Sequence, residues 1–232
     1  MNDKINGIVL TQSDYKESDV LMQVITKEYG IISLVGKASK KINSKNHFLP
    51  MCLYEFIIDY KEGKTIYSIH GSKLINNFFE DDDIEMMSIK NILIEATLKN
   101  RDIDSFDSLY FVFKNMKYEN RFLLSSMYFS YLTKKFGVMP NVDGCSICGK
   151  TKIVSLSNID GGFVCEKHLN GNPTLPVDTL KKIRLIVKGD FNNYDVLKNF
   201  EFNQFDFYLI ANFFIENSDL KLKSYDFYRS MN

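Results

Sequence analysis

The chain has 232 residues, 45% of them hydrophobic and 25% charged, and its 29 Lys+Arg balance its 29 Asp+Glu to a formal net charge of zero. These values exclude a disordered or fibrous chain, and they exclude a global basic field that would draw the whole protein to nucleic acid or to an anionic membrane. The length admits one large domain or two to three small ones.

The opening "MNDKINGIVLTQSD" has an acid at Asp3 and only a brief apolar run, so it lacks the basic and apolar regions of a secretory signal. Runs such as "YEFIIDY" and "YLIANFFI" fall far short of the ~18 apolar residues of a membrane span. The expectation is a cytoplasmic protein without membrane contact.

From Ile5 to about Asn76 the pattern is one of short strands: "INGIVLTQSDY", "DVLMQVITKEYG", "IISLVGKA", "FLPMCLYEFIIDYKEG" and "KTIYSIHGSKLI". β-Branched and aromatic residues alternate with polar ones, and Gly30, Pro50 and Gly63 separate the runs. Five short antiparallel strands predict an OB-like barrel, a closed sheet that often binds nucleic acid, with an SH3-like barrel as the alternative.

The period changes at "FFEDDDIEMMSIKNILIEATLKN", where Asp83 can cap a helix and Ile84, Met87, Ile89, Leu93, Ala96 and Leu98 recur at roughly helical spacing. Two further helices are expected from Ser105 and from Glu119, the latter ended by Gly137 with Pro140 just beyond. Pro176 opens another, and Asn203 begins one with a heavily aromatic stripe. The fold class is therefore α+β multidomain. An N-terminal OB-fold β-barrel spans 1–79, an α-helical bundle domain spans 80–139 and 173–232, and a zinc-binding β-hairpin subdomain is inserted at 140–172.

That insertion, "CSICGKTKIVSLSNIDGGFVCEKHL", holds Cys145-x-x-Cys148 and Cys165-x-x-His168, two pairs each tight enough to reach one tetrahedral ion, across a sixteen-residue spacer. "KIVSLS" and "GFVC" flank "NIDGG", so a hairpin carries the second pair back beside the first. Reduced core cysteines or a disulfide are the plainer readings, but a cytoplasmic setting disfavours a disulfide and neither accounts for His168. With four ligands available, one Zn2+ with a structural role is expected. A zinc deaminase would need His-x-Glu ahead of Pro-Cys-x-x-Cys, which the chain lacks.

Average charge conceals a basic stretch: "GIISLVGKASKKINSK" carries Lys37, Lys40, Lys41 and Lys45 without a carboxylate. These lysines are the candidate DNA contacts, with Tyr15, Tyr29, Phe48 and Tyr54 as candidate stacking rings; a solvated loop beside core aromatics is the bland alternative. "GKT" at Gly63 imitates the end of a phosphate loop, but Ile58 stands where the upstream glycine is required, so a hairpin turn is expected. "EDDD" at Glu80 reads as a linker and cap. His47 and His70 have no nucleophile arranged with them, so no catalytic residue is expected.

The order of barrel, helices and inserted metal knot resembles the RecO family of bacterial DNA repair and recombination proteins along essentially the whole chain. Gly7 to Leu10, Tyr15, Glu17, Asp19, Thr26, Gly30 and "FLP" at Phe48 carry the resemblance, as do Phe136 to Pro140 before the cysteines and "LKLKSYDFYRSM" near the end. Two features depart from it. The family's Lys-Gly-Ala with paired arginines is here Gly36, Lys37, Ala38, Ser39, Lys40, Lys41, and His168 stands where many relatives have cysteine; charge is kept but bidentate arginine geometry is not. The resemblance implies a non-enzymatic, nucleoid-associated recombination mediator that binds single- and double-stranded DNA and anneals complementary strands. It also implies partnership with RecR and the C-terminal tail of SSB, and indirectly with RecA. A zinc-dependent nucleic-acid-modifying enzyme and a pure protein-interaction module are the alternatives.

Overall fold

The computed structural model describes residues 3–39, 47–79, 83–100 and 105–231. Lys40, Lys41 and Lys45 lie outside the described residues, as do Glu80 to Asp82 of the acidic run. The chain divides into two units, one formed by residues 1–115 with 227–232 and the other by residues 116–226.

In the first unit, β1 (Asp3–Tyr15), β2 (Asp19–Thr26), β3 (Gly30–Gly36), β4 (Cys52–Ile58) and β5 (Ile66–Asn77) close into a barrel in the order β1-β2-β3-β5-β4. The closing β3–β5 pair is parallel, with Ser33 opposite Ile66, while the other neighbours are antiparallel. This is the five-stranded OB barrel expected from the alternation. Alternate residues such as Val9, Met22, Val24, Leu34 and Phe56 fill the interior. The residues between them on β1, β2 and β4, namely Ile8, Ile25 and Leu53, are buried too. That side of the barrel is covered: α2 (Ser105–Asn115) packs on β2, and Lys27 pairs with Asp107 across 3.0 Å.

The β2–β3 turn shows why the register holds. Gly30 takes φ +62°, and the Thr26 hydroxyl donates to Gly30 O while accepting the N–H of Tyr29. Helix α1 (Ile84–Lys99) starts where expected, because the Asp83 carboxylate accepts the N–H of Met86 at 2.8 Å. Its buried face is broader than the spacing implied. It includes Met86, Ile92 and even Lys90, whose ammonium donates to Phe78 O beside the Phe113 ring, while Ile84 is left 78% exposed.

In the second unit, α3 (Arg121–Lys135) packs on α6 (Gln204–Asn217) through Phe129, which lies 5.9 Å from Phe207 and 5.5 Å from Phe214 between ring centroids. α3 ends at Gly137, φ +70°, and Asn203 caps α6 in a capping box with Asp206. Between them runs α4 (Val177–Lys188), opened by Pro176 as expected, followed by the short α5 (Tyr194–Leu197). A buried ion pair joins α4 to α6, with the Lys182 ammonium 3.0 Å from the Asp206 carboxylate. Helix α7 (Lys223–Met231) completes the chain, and its residues from 227 on belong to the first unit. There the buried Tyr228 hydroxyl donates to Glu85 of α1 at 2.9 Å.

Candidate metal centre and nucleic-acid face

The expected hairpin is β6 (Ser155–Ser157) paired antiparallel with β7 (Gly162–Val164). Ser157 and Asp160 close its turn by exchanging hydrogen bonds: the hydroxyl donates to the carboxylate at 2.7 Å and accepts the Asp160 N–H. A third segment joins it. Asn141 donates to Gly161 O and accepts the N–H of Phe163, which brings the stretch after Pro140 alongside β7. Gly162, at φ +150°, permits that approach, since a Cβ there would lie 2.3 Å from Asn141 O.

This framework brings the two ligand pairs together. The donor atoms of Cys145, Cys148, Cys165 and His168 all lie within 4.8 Å of one another. Cys148 Sγ is 3.8 Å from Cys165 Sγ, and His168 Nδ1 is 3.4 Å from both Cys145 Sγ and Cys165 Sγ. A tetrahedral zinc with ordinary bond lengths separates two sulfurs by ~3.8 Å and a sulfur and a nitrogen by ~3.5 Å. The donor set therefore fits such an ion in both chemistry and spacing, and the group can hold a metal.

The knuckle backbone prepares the ligands. Burial acts to raise the Cys145 thiol, but the N–H groups of Cys148, Cys165 and Ile147, together with His168, point at its sulfur and bring it down to about 5. At Cys148 the Lys150 N–H acts downward, but burial and the adjoining sulfurs of Cys145 and Cys165 prevail and raise the thiol. The neighbouring sulfurs thus disfavour a negative charge on Cys148. A bound cation removes that conflict.

On the barrel, Lys37 is exposed on the turn after β3. The turn is held by Asp19, whose carboxylate accepts the N–H of Ala38 at 2.8 Å, with Ala38 at φ +55°. The candidate rings divide. Phe48 and Tyr54 are core residues packed edge to face at 5.4 Å, so neither is a stacking platform. Burial pushes the Tyr54 hydroxyl up to about 12, and it donates to His47 O. Tyr29 stacks at 3.8 Å on Tyr60, which stacks in turn on Tyr67. Tyr15 is partly exposed, with Lys16 over its ring.

"GKT" is a turn, as its missing glycine implied. Gly63 takes φ +78° between β4 and β5, and the Tyr67 hydroxyl donates to the carbonyls of Lys61 and Lys64. His47 and His70 are both exposed. The sequence reading missed Asp19, Asn141 and the Lys182–Asp206 pair. Asp19 gave a signal only as part of the family pattern, and the other two act through partners at least 20 residues away.

No helix among the described residues is long and apolar enough to cross a membrane. Residues 1–78 match the family profile described as "Recombination protein O N terminal". Along nearly its whole length the chain is similar to proteins named DNA repair protein RecO. The one from Listeria welshimeri is 27% identical over 244 residues, covering 99% of this chain and 94% of the relative. The one from a Thermoanaerobacter species is 28% identical over 248 residues, covering 98% and 97%. The one from Caldicellulosiruptor bescii is 28% identical over 199 residues, covering 79% and 80%. An OB barrel, a helical region and a Cys3His group thus follow one another in the order the resemblance implied, in a chain whose N-terminal third matches the RecO profile and whose full length is similar to DNA repair proteins RecO.

Proposed function

We propose that the protein is a non-enzymatic recombination mediator whose barrel binds single- and double-stranded DNA through Lys37, Lys40, Lys41 and Lys45. In this reading it anneals complementary strands and, with RecR, helps load RecA on single strands coated by SSB, whose C-terminal tail docks on the helical domain. The functional division follows the sequence: 1–79 holds DNA, 80–139 with 173–232 receives proteins, and 140–172 carries one structural Zn2+ on Cys145, Cys148, Cys165 and His168. A zinc ion there supplies cross-linking of two chain segments, not a reactive centre, because all four positions are filled by side chains.

The observation that carries this reading is the exposed Lys37 on an OB barrel that matches the RecO profile, on a turn fixed by Asp19 at the start of the lysine-rich stretch. Such a turn presents the Lys37 ammonium to phosphates at little ordering cost, and with Phe48 and Tyr54 turned inward the contact draws chiefly on charge. The test is a titration of labelled single-stranded DNA at several salt concentrations with the wild type and a Lys37/Lys40/Lys41→Ala variant. The variant is expected to bind more weakly and with a shallower salt dependence. Equal affinity in the two proteins would remove the lysine stretch from the interface.

A further inference from the structure

The metal knot carries a second concentration of unpaired positive charge that the barrel reading does not use. Lys150 and Lys152 follow the first ligand pair, and Lys167 lies inside the second. All three are exposed, and none has an ion-pair or hydrogen-bond partner for its ammonium among the described residues. They come from opposite ends of the insertion, and the donor group is what joins them. Cys148 Sγ lies 3.8 Å from Cys165 Sγ, which draws together the backbone segments that carry Lys150, two residues after the one, and Lys167, two residues after the other. Lys152 adjoins Ile153, which packs on the small core of Cys145, Val164 and Cys165. The Cys145 N–H donates to Lys150 O at 2.8 Å, which fixes the backbone from which the lysine projects.

An opposing charge adjoins in sequence at Glu166, between Cys165 and Lys167; Asp143 is already engaged by Lys188, and Asp160 is occupied by Ser157 in the hairpin turn. Three thiolates and a neutral imidazole around a doubly charged ion leave about one net negative charge, so three lysines exceed the local negative charge only slightly. A weakly positive, preorganised surface of this kind suits the phosphates of a nucleic-acid backbone reached in succession. It is too small to capture DNA by itself.

We infer that Lys150, Lys152 and Lys167 form a second contact for the phosphate backbone of single-stranded DNA, assembled only when the metal joins the two ligand pairs. The inference rests on the DNA-binding reading of the barrel and extends it. The knot then has a role beyond stability: it makes the DNA affinity of the whole chain depend on the metal.

The test uses the zinc-loaded full chain and a Lys150→Gln/Lys152→Gln/Lys167→Gln variant, titrated with labelled single-stranded DNA across a salt series. With ~0.7 of slope per phosphate on single strands, losing three contacts flattens the log–log salt dependence by about two and weakens binding at 0.1 M salt by roughly a hundredfold. Stripping the metal with a chelator is expected to flatten the wild type by the same amount and to leave the variant unchanged, which separates the contact from general damage. Metal analysis verifies that the variant retains its ion. If it does not, the three single Gln variants decide, each expected to lower the slope by about 0.7. Wild-type slope and affinity in the metal-loaded variants overturn the inference while the barrel reading stands, provided the Lys37/Lys40/Lys41→Ala variant is impaired. Absence of salt-dependent binding in the wild type overturns both.

Discussion

The barrel and the knot each hold short strands together, by different means. The barrel buries a cluster of thirteen residues, from Ile5 to Tyr67, closed on itself by the parallel β3–β5 pair. The knot has two three-residue strands, a small cluster of Cys145, Val164 and Cys165 with Ile153 packed against it, and Val142, Leu156 and Phe163 buried as well; two of the cluster's members are candidate metal donors. So small a core offsets little of the entropy of ordering some thirty residues, and small domains in that position commonly use a metal or disulfides. One region is held by hydrophobic burial and the other carries a Cys3His group that can hold a metal ion, so the two should respond to different perturbations.

The largest separation is expected from the metal. Chelation, or Cys165→Ser, should remove apparent binding energy on the order of 10 kcal/mol and unfold residues 140–172 while the barrel amides stay protected. Hydrogen exchange resolved by segment tests this, together with a count of about one zinc per chain before chelation. Zinc absent from protein purified without chelator would contradict the coordination account. The reverse experiment is Phe56→Ala in the barrel, where the ring is fully buried. It should cost about 3–5 kcal/mol in the denaturation of the first unit and leave the zinc content unchanged.

A smaller effect sharpens the comparison from inside the knot. Gly162→Ala places a Cβ against Asn141 at a backbone angle that alanine resists, so a loss of about 1–3 kcal/mol is expected. Since hairpin and metal site fold together, the loss should be read as weaker zinc affinity in competition with a chromophoric chelator, with the barrel melting as before. The smallest effect is expected at Asp83→Ala, which removes the cap of α1. It should lower the stability of the first unit by about 1 kcal/mol in a urea titration and leave the knot untouched.

What the sequence made legible follows the same division. The strands of the barrel were readable because alternation is a local signal, and the knot was readable because ligand spacing is one too. Asp83, Pro176 and Gly137 marked helix ends for the same reason, each acting on the turn beside it. Hidden from such reading were the features made by distant partners. The Asn141 segment beside β7 and the Lys182–Asp206 pair depend on tertiary placement and leave no period in the chain. The candidate rings show the same limit. Phe48 and Tyr54 have the composition of a stacking surface, and only their place in the closed sheet shows that they face inward.

Helix α7 bears on how the molecule can be taken apart. Because residues 227–232 belong to the unit that begins at residue 1, the barrel unit is discontinuous in sequence, and no single cut isolates it. A fragment ending at Asn115 would present α1 with Glu85 lacking the Tyr228 hydroxyl and with the tyrosine's site open. DNA binding measured on such a fragment would mix the loss of the second unit with damage to the first. Supplying residues 223–231 through a short linker after Asn115 would keep the two effects apart.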